Sequence, residues 1–542
     1  MKKHIVYPLI LALAAVALAS CDDFLDKMPD SRAELDSEEK IVKMLVSAYP
    51  KNCYNMCAEF SSDNVDDYGS TKSHNQLQEE LYNWQEVSAV ETNENPNAVW
   101  SNAYVTIAAA NQALSAIQDL GGANTPTLKA ARGEALLCRA YGHWVLVNMF
   151  CMHYNTNHPE DLGVPYMDHA ETELNPKYDR GTVADVYEKM IADIEEGIPL
   201  IDDAIYNIPK YHFNYKAACC FASRVYLFHE DWDNAIKYAG MALGSDPQSQ
   251  LRDLAYLAGF PRNPLNDISK AYNSTSVKAN YLIATGMSDA GAIFGSYGSV
   301  NRYTHGKSIA TYETTETSAT TMSPLGSKYG WKMRTWIYGS GRYILPRTPY
   351  VFEYTDPVQK IGYTHSLFVI ASADEALLNR AEAYIMKKDY TSALADMNMW
   401  AKNQITASYY KELTEESINN WADKLAYDMT DKDPEKPDDL KNKNRTPKKE
   451  LNPGFLVETG TQENMIHAIL FMRRIEFMHM GMRWFDTRRY GITIYRRLID
   501  QDENTLVKIT DKMSDEGGNR DPRRCLQLPA DVIAAGLTKN PR

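Results

Sequence analysis

The spacing of apolar residues predicts a mainly helical chain. Across residues 217–243 and again across 376–400, apolar side chains recur at intervals of three and four residues, which is the period of a helix with one buried face. In both stretches an aspartate divides the pattern and directly precedes an aromatic residue. These pairs are Asp231-Trp232 and Asp389-Tyr390. Small residues at helix crossings, with an aromatic residue opening the second helix, are typical of tetratricopeptide-like hairpins, so we predict such hairpins dispersed in a larger body.

The residue composition and the hydrophobic period change along the chain. Residues 38–243 and 366–500 keep the helical period and form the predicted scaffold. Residues 245–365 are rich in Gly, Ser, Thr, Tyr and Pro, which predicts loops and short strands. Residues 429–453 are largely charged or proline, which predicts an exposed loop without a core of its own. We therefore predict a mainly all-α protein, one body over residues 21–542, whose helical scaffold carries a loop-rich ligand-binding region.

The N-terminus predicts export and lipid attachment. Two lysines precede an apolar run from Tyr7 to Leu18 that is too short to span a bilayer as a mature helix. Residues 1–20 are therefore predicted to be a signal peptide. The run ends in Leu-Ala-Ser-Cys, which matches the bacterial lipobox, and makes Cys21 the predicted lipidation site. Acyl chains on this cysteine hold a protein at a membrane without a transmembrane helix.

Composition and charge restrict the partners. The formal net charge of −14 and the pI near 5.4 argue against nucleic acid or an anionic membrane surface, since both are polyanions. The 35 Tyr and 9 Trp, against 14 Phe, favour wet binding surfaces as well as half-buried packing. Most of the seven cysteines after Cys21 lie in helical apolar patterns, so we predict buried thiols, including Cys53 and Cys57, in place of a zinc site.

Six stretches in order along the chain resemble the SusD/RagB family. They are the lipoprotein start CDDFLD; WSNAYVTIAAANQAL with ARGEALLCRAYGHWVLVNMF; RGTVADVYEKMIADIEEGIPLI; NYKAACCFASRVYLFHEDWDNAIKYA; ALLNRAEAYIMKKDYTSALADMN; and RRIEFMHMGMRWFDTRRYG. The acidic pair after Cys21 also resembles the export signals of lipoproteins on the outer surface of Bacteroidetes. The segment after residue 150 is longer than the short turn common in the family, which leaves the geometry of that loop open.

The resemblance implies a helical scaffold with the ligand site in the loop-rich region. Members of the family sit on the outer surface of the outer membrane and cap a SusC-like TonB-dependent transporter. They deliver oligosaccharides or, in RagB-like members, peptides, and they bind without catalysis or cofactor. We therefore expect a glycan ligand, a SusC-like transporter as partner, a lipid anchor in the outer membrane with the protein facing the cell exterior, and no nucleic acid.

Candidate binding residues follow from the chemistry of sugar capture. An aromatic ring covers the apolar C–H face of a pyranose, while polar side chains bond its hydroxyls. The candidate aromatic residues are Tyr68, Trp84, Tyr297, Tyr303, Trp331, Trp336 and Tyr338, and the candidate polar residues are Asn301, Arg302, Arg342, Asp66 and Asp67. Ordinary packing is the alternative for each aromatic residue. Trp100 lies in a core-like pattern and is predicted to be structural.

Other interpretations remain open. Oxygen ligands at Asp63, Asn64, Asp66 and Asp67 suggest a structural calcium ion, although the spacing is not that of an EF-hand loop. A helical-repeat scaffold for a cell-surface complex would instead bury or scatter the aromatic residues of 245–365. A cell-surface hydrolase would need a carboxylate pair at a defined separation, and no local motif distinguishes such a pair.

The charged stretch RRIEFMHMGMRWFDTRRYG, residues 473–491, resembles an active site in composition only. Acids and arginines three residues apart can pair along a helix. The three predicted pairs are Arg473 with Glu476, Arg483 with Asp486, and Asp486 with Arg489. We therefore predict a structural element, with a helix ending near Gly481 and no catalytic residue.

Overall fold

The computed structural model of the chain describes residues 35–89, 93–172, 176–295, 301–317, 323–338, 341–428, 445–500, 502, 504–515 and 518–542. Within these residues the protein is mainly helical, which confirms the predicted class. The helices are α1 Glu38–Leu45, α2 Asn55–Ser61, α3 Gln76–Tyr82, α4 Pro96–Asp119, α5 Pro126–Phe150, α6 Val183–Gly197, α7 Tyr215–Phe228, α8 Trp232–Leu243, α9 Leu254–Ala258, α10 Leu265–Tyr272, α11 Ala290–Ile293, α12 Lys307–Glu313, α13 Ala373–Met386, α14 Tyr390–Gln404, α15 Glu415–Ala422, α16 Thr461–Glu476, α17 Met482–Arg489 and α18 Ala530–Ala534.

Short strands form three small sheets beside the helices. The strands are β1 Asp66–Asp67, β2 Asn280–Met287, β3 Tyr303–Thr304, β4 Trp336–Tyr338, β5 Arg342–Ile344, β6 Val351–Asp356, β7 Ile361–Ser372, β8 Ile494–Asp500 and β9 Thr505–Met513. Their orders are β3-β1-β8-β9, β2-β7-β6 and β4-β5. Neighbouring strands are antiparallel except β1 and β8, which pair in parallel. The β8–β9 hairpin lies partly within the predicted helical scaffold and was not expected there.

Both predicted helical hairpins form, as α7–α8 and α13–α14. The carboxylate of Asp231 accepts a hydrogen bond from the Asn234 backbone N–H at 3.0 Å, and Asp389 caps α14 through Ser392 at 3.1 Å. Each cap satisfies a donor that the first turn of a helix leaves free. Helix α8 packs on both α7 and α13. The two hairpins therefore lie side by side despite their distance in sequence.

The core centres on α5 and α16, which are buried along nearly their whole length. Trp144 of α5 is fully buried and meets Phe485 of α17 edge to face, with ring centroids 5.1 Å apart. Trp100 is also buried, against Phe150, which confirms its structural role. Close packing of these rings joins the helices before and after the loop-rich region.

The cysteines described by the structure are free and buried, as predicted. Burial raises the pKa of the Cys53 thiol to about 12, because an apolar surrounding disfavours the charged thiolate. Cys57 donates to the backbone carbonyl of Glu94 at 3.0 Å. These thiols therefore behave as small apolar side chains.

Residues 473–491 run from α16 through α17 and are nearly all buried. Helix α16 ends at Glu476, five residues before the predicted end near Gly481, and Gly481 adopts φ +77° directly before α17. Of the predicted local pairs, Asp486 with Arg489 forms at 2.8 Å. Arg473 instead reaches Asp486 at 3.0 Å. The prediction of an Arg473–Glu476 pair was wrong, because a buried guanidinium takes the carboxylate that tertiary packing brings to it.

Arg483 also departs from the prediction, since it binds Asp63 and not Asp486. Both guanidinium nitrogens Nε and Nη2 lie 2.7 Å from the Asp63 carboxylate oxygens. Arg474 of the preceding helix approaches the same carboxylate at 3.4 Å. Burial alone would raise the pKa of Asp63, but the two arginines outweigh it and hold the pKa below its usual value.

The charged segment 429–453 is partly buried, which corrects the prediction of an exposed loop. Residues 429–444 lie outside the described residues. Arg445 is fully buried, and Lys448 and Lys449 are buried too. Acids outside the segment neutralise two of these charges, with Arg445 bound to Asp66 at 2.9 Å and Lys449 bound to Glu313 at 2.8 Å, while Lys448 donates to the Ala422 carbonyl at 3.0 Å. A count of charged residues cannot reveal partners of this kind.

Candidate ligand-binding surface

The predicted acids Asp66 and Asp67 are held inside by arginines. Asp66 accepts from Arg445 at 2.9 Å and from Arg497 at 3.1 Å. Asp67 receives two parallel hydrogen bonds of 2.9 Å from Arg302. Bidentate pairs of this kind are among the strongest hydrogen bonds in proteins. These carboxylates therefore join β1 to the rest of the body and offer few free oxygens to a ligand.

The same contacts contradict the calcium hypothesis. Asp63 faces Arg474 and Arg483, and Asp66 faces Arg445 and Arg497. A divalent cation at this position would meet guanidinium groups in place of a free oxygen cage. In the described part of the chain, no group of three or more His, Cys, Asp or Glu is arranged to hold a metal ion.

Tyr68, Tyr303 and Asn301 are buried beside this cluster. The ring of Tyr303 stacks on Tyr82 with centroids 4.5 Å apart. The hydroxyl of Tyr68 lies where a side chain at Gly306 would start, 1.8 Å from an ideal Cβ. These residues pack β1 against β3 and are not part of an exposed binding surface.

Trp84 and Arg342 also have internal partners. The indole N–H of Trp84 donates to the Ser61 carbonyl at 2.9 Å, and the guanidinium of Arg496 lies 3.9 Å from its ring centroid. Arg342 is buried and donates to the carbonyls of Ala292 and Ile293 at 2.9 and 2.7 Å. It thereby satisfies carbonyls at the end of α11.

The loop-rich aromatics differ sharply in exposure. Trp331 is only 6% exposed and meets Trp400 edge to face at 6.4 Å, so it belongs to the core. Trp336 of β4 is half-buried, and its neighbour Ile337 is 63% exposed. Tyr297 lies outside the described residues. Tyr338 lies in β4, but its side chain is outside the described atoms.

The exposed aromatic residues come together from two segments. Tyr329 is 56% exposed and Tyr409 is 45% exposed. Their segments are joined by a hydrogen bond of 2.8 Å from the Thr406 N–H to the Gly330 carbonyl. A Cβ at Gly330 would lie 2.8 Å from that of Tyr409, so only glycine permits this close approach.

We call this region the aromatic surface. It consists of Tyr329, Trp336, Tyr409 and Tyr410. Arg334 links its two ends, because it precedes Trp336 in the chain and donates to the Tyr329 carbonyl at 3.3 Å. The surface offers exposed or partly exposed rings from two segments and is not enclosed, which suits an extended ligand better than a small one.

A groove of about 710 Å³ adjoins the aromatic surface. It runs along α14 and is lined by Lys402, Asn398, Leu394 and Met399 on one side and by residues 412–416 on the other. The phenol of Tyr410 donates to Asn398 at 2.8 Å and so connects the groove to the surface. The groove gives a long ligand room to continue beyond the rings.

Tyr329, Tyr409 and Tyr410 were absent from the sequence-based candidates. Tyr329 lies within the predicted loop-rich region, where a Tyr-Gly-Trp run offered a weak signal. The pair Tyr409-Tyr410 lies outside that region, after the helical period of α14 ends. Two tyrosines after a helix end could have been noticed, but their proximity to Gly330 depends on tertiary structure.

Two family profiles match the chain. One of the SusD-like type, described as starch-binding and associating with the outer membrane, matches residues 23–227. The profile of the SusD family, SusD/RagB, matches residues 300–527. In a comparison with curated proteins, none matched this chain.

Solved structures share the fold across nearly the whole chain. A SusD superfamily protein from Bacteroides thetaiotaomicron has a TM-score of 0.61 at 16% identity, covering 94% of this chain and 100% of its own. A SusD superfamily protein from Bacteroides vulgatus gives 0.59 at 17%, covering 94% and 98%. A SusD-like carbohydrate binding protein from the same species gives 0.58 at 15%, covering 92% and 96%. At these identities the likeness shows the fold.

Proposed function

Because the chain belongs to the SusD/RagB family, we propose that it is a surface-exposed lipoprotein that binds oligosaccharides or polysaccharides. In this proposal it passes the glycan to a SusC-like TonB-dependent transporter in the outer membrane. Cys21 carries the lipid anchor, and the protein faces the cell exterior. Its role is capture and delivery, without catalysis.

The aromatic surface is the observation that carries the proposal. Tyr329 and Tyr409 are both exposed, and the close approach at Gly330 brings their segments together, so the surface carries a group of rings where a single exposed tyrosine would be ordinary. Aromatic rings gain free energy when they cover the C–H face of a sugar and lose little entropy, since they have few rotatable bonds. An open strip of rings beside a groove matches a chain of sugar units.

Two further observations concern the membrane and the buried acids. In the part of the chain that the structure describes, no helix is long and apolar enough to cross a membrane. The buried acids Asp63, Asp66 and Asp67 are paired with arginines in the core. They are therefore occupied by structural contacts and do not serve as a pair of glycosidase carboxylates.

Affinity electrophoresis against plant, host and microbial polysaccharides tests the proposal. The protein is the chain from Asp22 onward, which contains every described residue. We expect retention by at least one glycan and a loss of up to about tenfold in affinity for Tyr329→Ala or Tyr409→Ala, since stacking of one ring contributes about 0.5–1.5 kcal/mol. Tyr354→Ala is the matched control, because Tyr354 is similarly exposed, at 53%, on the distant strand β6.

The same assay separates the rival functions. Binding to oligopeptides and to no polysaccharide would replace glycan capture by peptide capture. Release of smaller sugars from any polysaccharide would show a hydrolase. Retention of a glycan with no effect of either tyrosine variant would keep the function but move the site away from the aromatic surface.

A further inference from the structure

Positively charged side chains lie over rings of the aromatic surface. Over the ring of Tyr329 lie the Lys328 ammonium at 5.4 Å and the Arg334 guanidinium at 5.9 Å. Arg262 lies over Trp336 at 4.8 Å. Each cation is attracted to the electron-rich face of its ring, and what a ligand meets at these positions is a ring together with a positive charge.

The cations continue toward the groove. The Lys402 ammonium lies 5.5 Å from the Tyr410 ring centroid. Lys332 reaches the same end, since its ammonium donates to the Lys402 carbonyl at 3.0 Å. We call Arg262, Lys328, Lys332, Arg334 and Lys402 the cationic strip.

Most of the strip is not neutralised by nearby acids. Among the described residues, no carboxylate lies within 4.0 Å of the cationic groups of Arg262, Arg334 or Lys402, whereas Lys328 pairs with Glu316 at 3.5 Å. Asp253 acts on Lys332 from a greater distance, and Glu412 lies near Tyr410. In a chain with a net charge of −14, a run of cations with so few partners is unusual.

From this arrangement we propose that the ligand is an acidic saccharide, with carboxylate or sulfate groups that bind Arg262 and Arg334. The proposal rests on the proposed glycan-binding function and names the class of glycan. A guanidinium that lies over a ring keeps N–H groups at its edge, and these match the two oxygens of a carboxylate or sulfate. The exposed rings of Tyr329 and Tyr409 would hold the apolar faces of neighbouring sugar units.

The groove along α14 limits where the acidic units can bind. Its far side carries Glu412, Glu415 and Glu416, which repel anions. Acidic units therefore fit the end formed by Arg262 and Arg334, and neutral units fit the groove. This polarity gives the ligand one favoured direction along the surface.

The test compares acidic polysaccharides with their neutralised forms. Calorimetry of the chain from Asp22 onward would use uronate-containing and sulfated polysaccharides, each beside its carboxyl-reduced or desulfated counterpart. We expect the acidic form to bind at least tenfold more tightly than its counterpart. The double variant Arg262→Gln/Arg334→Gln should bind the acidic form about tenfold more weakly, and the difference in affinity between the acidic and the neutralised form should disappear. Both arginines are exposed and lack a carboxylate partner among the described residues, so the variant should stay folded, which its melting temperature checks.

Arg132→Gln is the matched control, because Arg132 is a partly exposed arginine on the distant helix α5. Its affinity for the acidic form should equal that of the parent. Equal binding of acidic and neutralised forms, or retention of neutral glycans alone, would overturn the acidic class and leave glycan capture standing. Binding to acidic oligopeptides and to no polysaccharide would overturn both proposals.

Discussion

Glu313 should be among the most sensitive single positions for stability. Its fully buried carboxylate lies 2.8 Å from Lys449, 2.9 Å from Arg474, 2.9 Å from Arg497 and 3.3 Å from Arg445. Removal of one partner of a buried ion pair costs about 3–5 kcal/mol. After Glu313→Gln the four cations share only Asp63, Asp66 and Asp428, so we expect a loss of about 3–5 kcal/mol, against a total stability of about 5–15 kcal/mol.

Urea unfolding at neutral pH, followed by circular dichroism, measures this loss. The control is Glu196→Gln, which removes a partly exposed pair with Arg132 and should cost less than about 1 kcal/mol. The double variant Glu313→Gln/Arg445→Met also removes one excess cation, so it should recover part of the stability lost in Glu313→Gln. It can be measured even if the single variant does not fold. A loss for Glu313→Gln no larger than that for Glu196→Gln would refute the reasoning.

The pH dependence gives an independent measure of the same cluster. Burial alone would raise the pKa of Glu313, but Arg497, Lys449, Arg474 and Arg445 outweigh it and hold the pKa well below the ordinary 4.5. A lowered pKa in the folded state contributes stability above pH 4.5 that is lost as the pH falls through the folded value. The parent should therefore lose stability steeply in acid, and Glu313→Gln should lack this component.

Three further outcomes test the core, a buried acid and the anchor. Trp331→Ala should cost about 3–5 kcal/mol in thermal or urea unfolding because the ring is buried, and a loss below about 1 kcal/mol would return it to the list of ligand residues. Burial raises the pKa of Glu94 to about 7, so the stability linked to its protonation is present below pH 4.5 and lost as the pH rises to 7. Relative to the parent, the free energy of unfolding of Glu94→Gln should rise by about 3 kcal/mol between pH 4.5 and 8. A difference between the two proteins that does not change with pH would contradict the raised pKa. Cys21→Ser should abolish labelling by radioactive palmitate and release the protein from the membrane fraction, and unchanged labelling would exclude the lipobox.

The scaffold could be predicted because its signals are local. Helical period and an N-terminal cap act over a few residues, and Asp231 and Asp389 cap α8 and α14 as their sequences indicate. The arginine-rich stretch shows the limit of local reasoning. Arg483 binds Asp63, which lies far away in the chain, and no spacing rule contains that information.

The candidate binding surface follows from the sequence only in part, because Tyr329 and Trp336 lie in the predicted loop-rich region whereas Tyr409 and Tyr410 lie outside it. Trp331 and Trp336 have similar surroundings in sequence, yet one packs on Trp400 and the other lies under Arg262 at the surface. The difference arises because a backbone bridge pairs Trp331 with Ile405. Exposure of a ring is a property of the assembled fold, and it decides between packing and binding.

The net charge of −14 and a ligand of the same sign are compatible, because net charge does not describe one surface. At physiological salt, interactions between exposed charges fade beyond about 8 Å, so a ligand at the aromatic surface responds to Arg262, Arg334 and Lys402. Double-stranded DNA carries a charge about every 1.7 Å along its axis and would extend onto the glutamates of the groove. An acidic glycan carries single charges on sugar units that also have apolar faces, and the surface likewise combines single cations with aromatic rings. This combination of rings and isolated cations, more than total charge, favours the glycan over a dense polyanion.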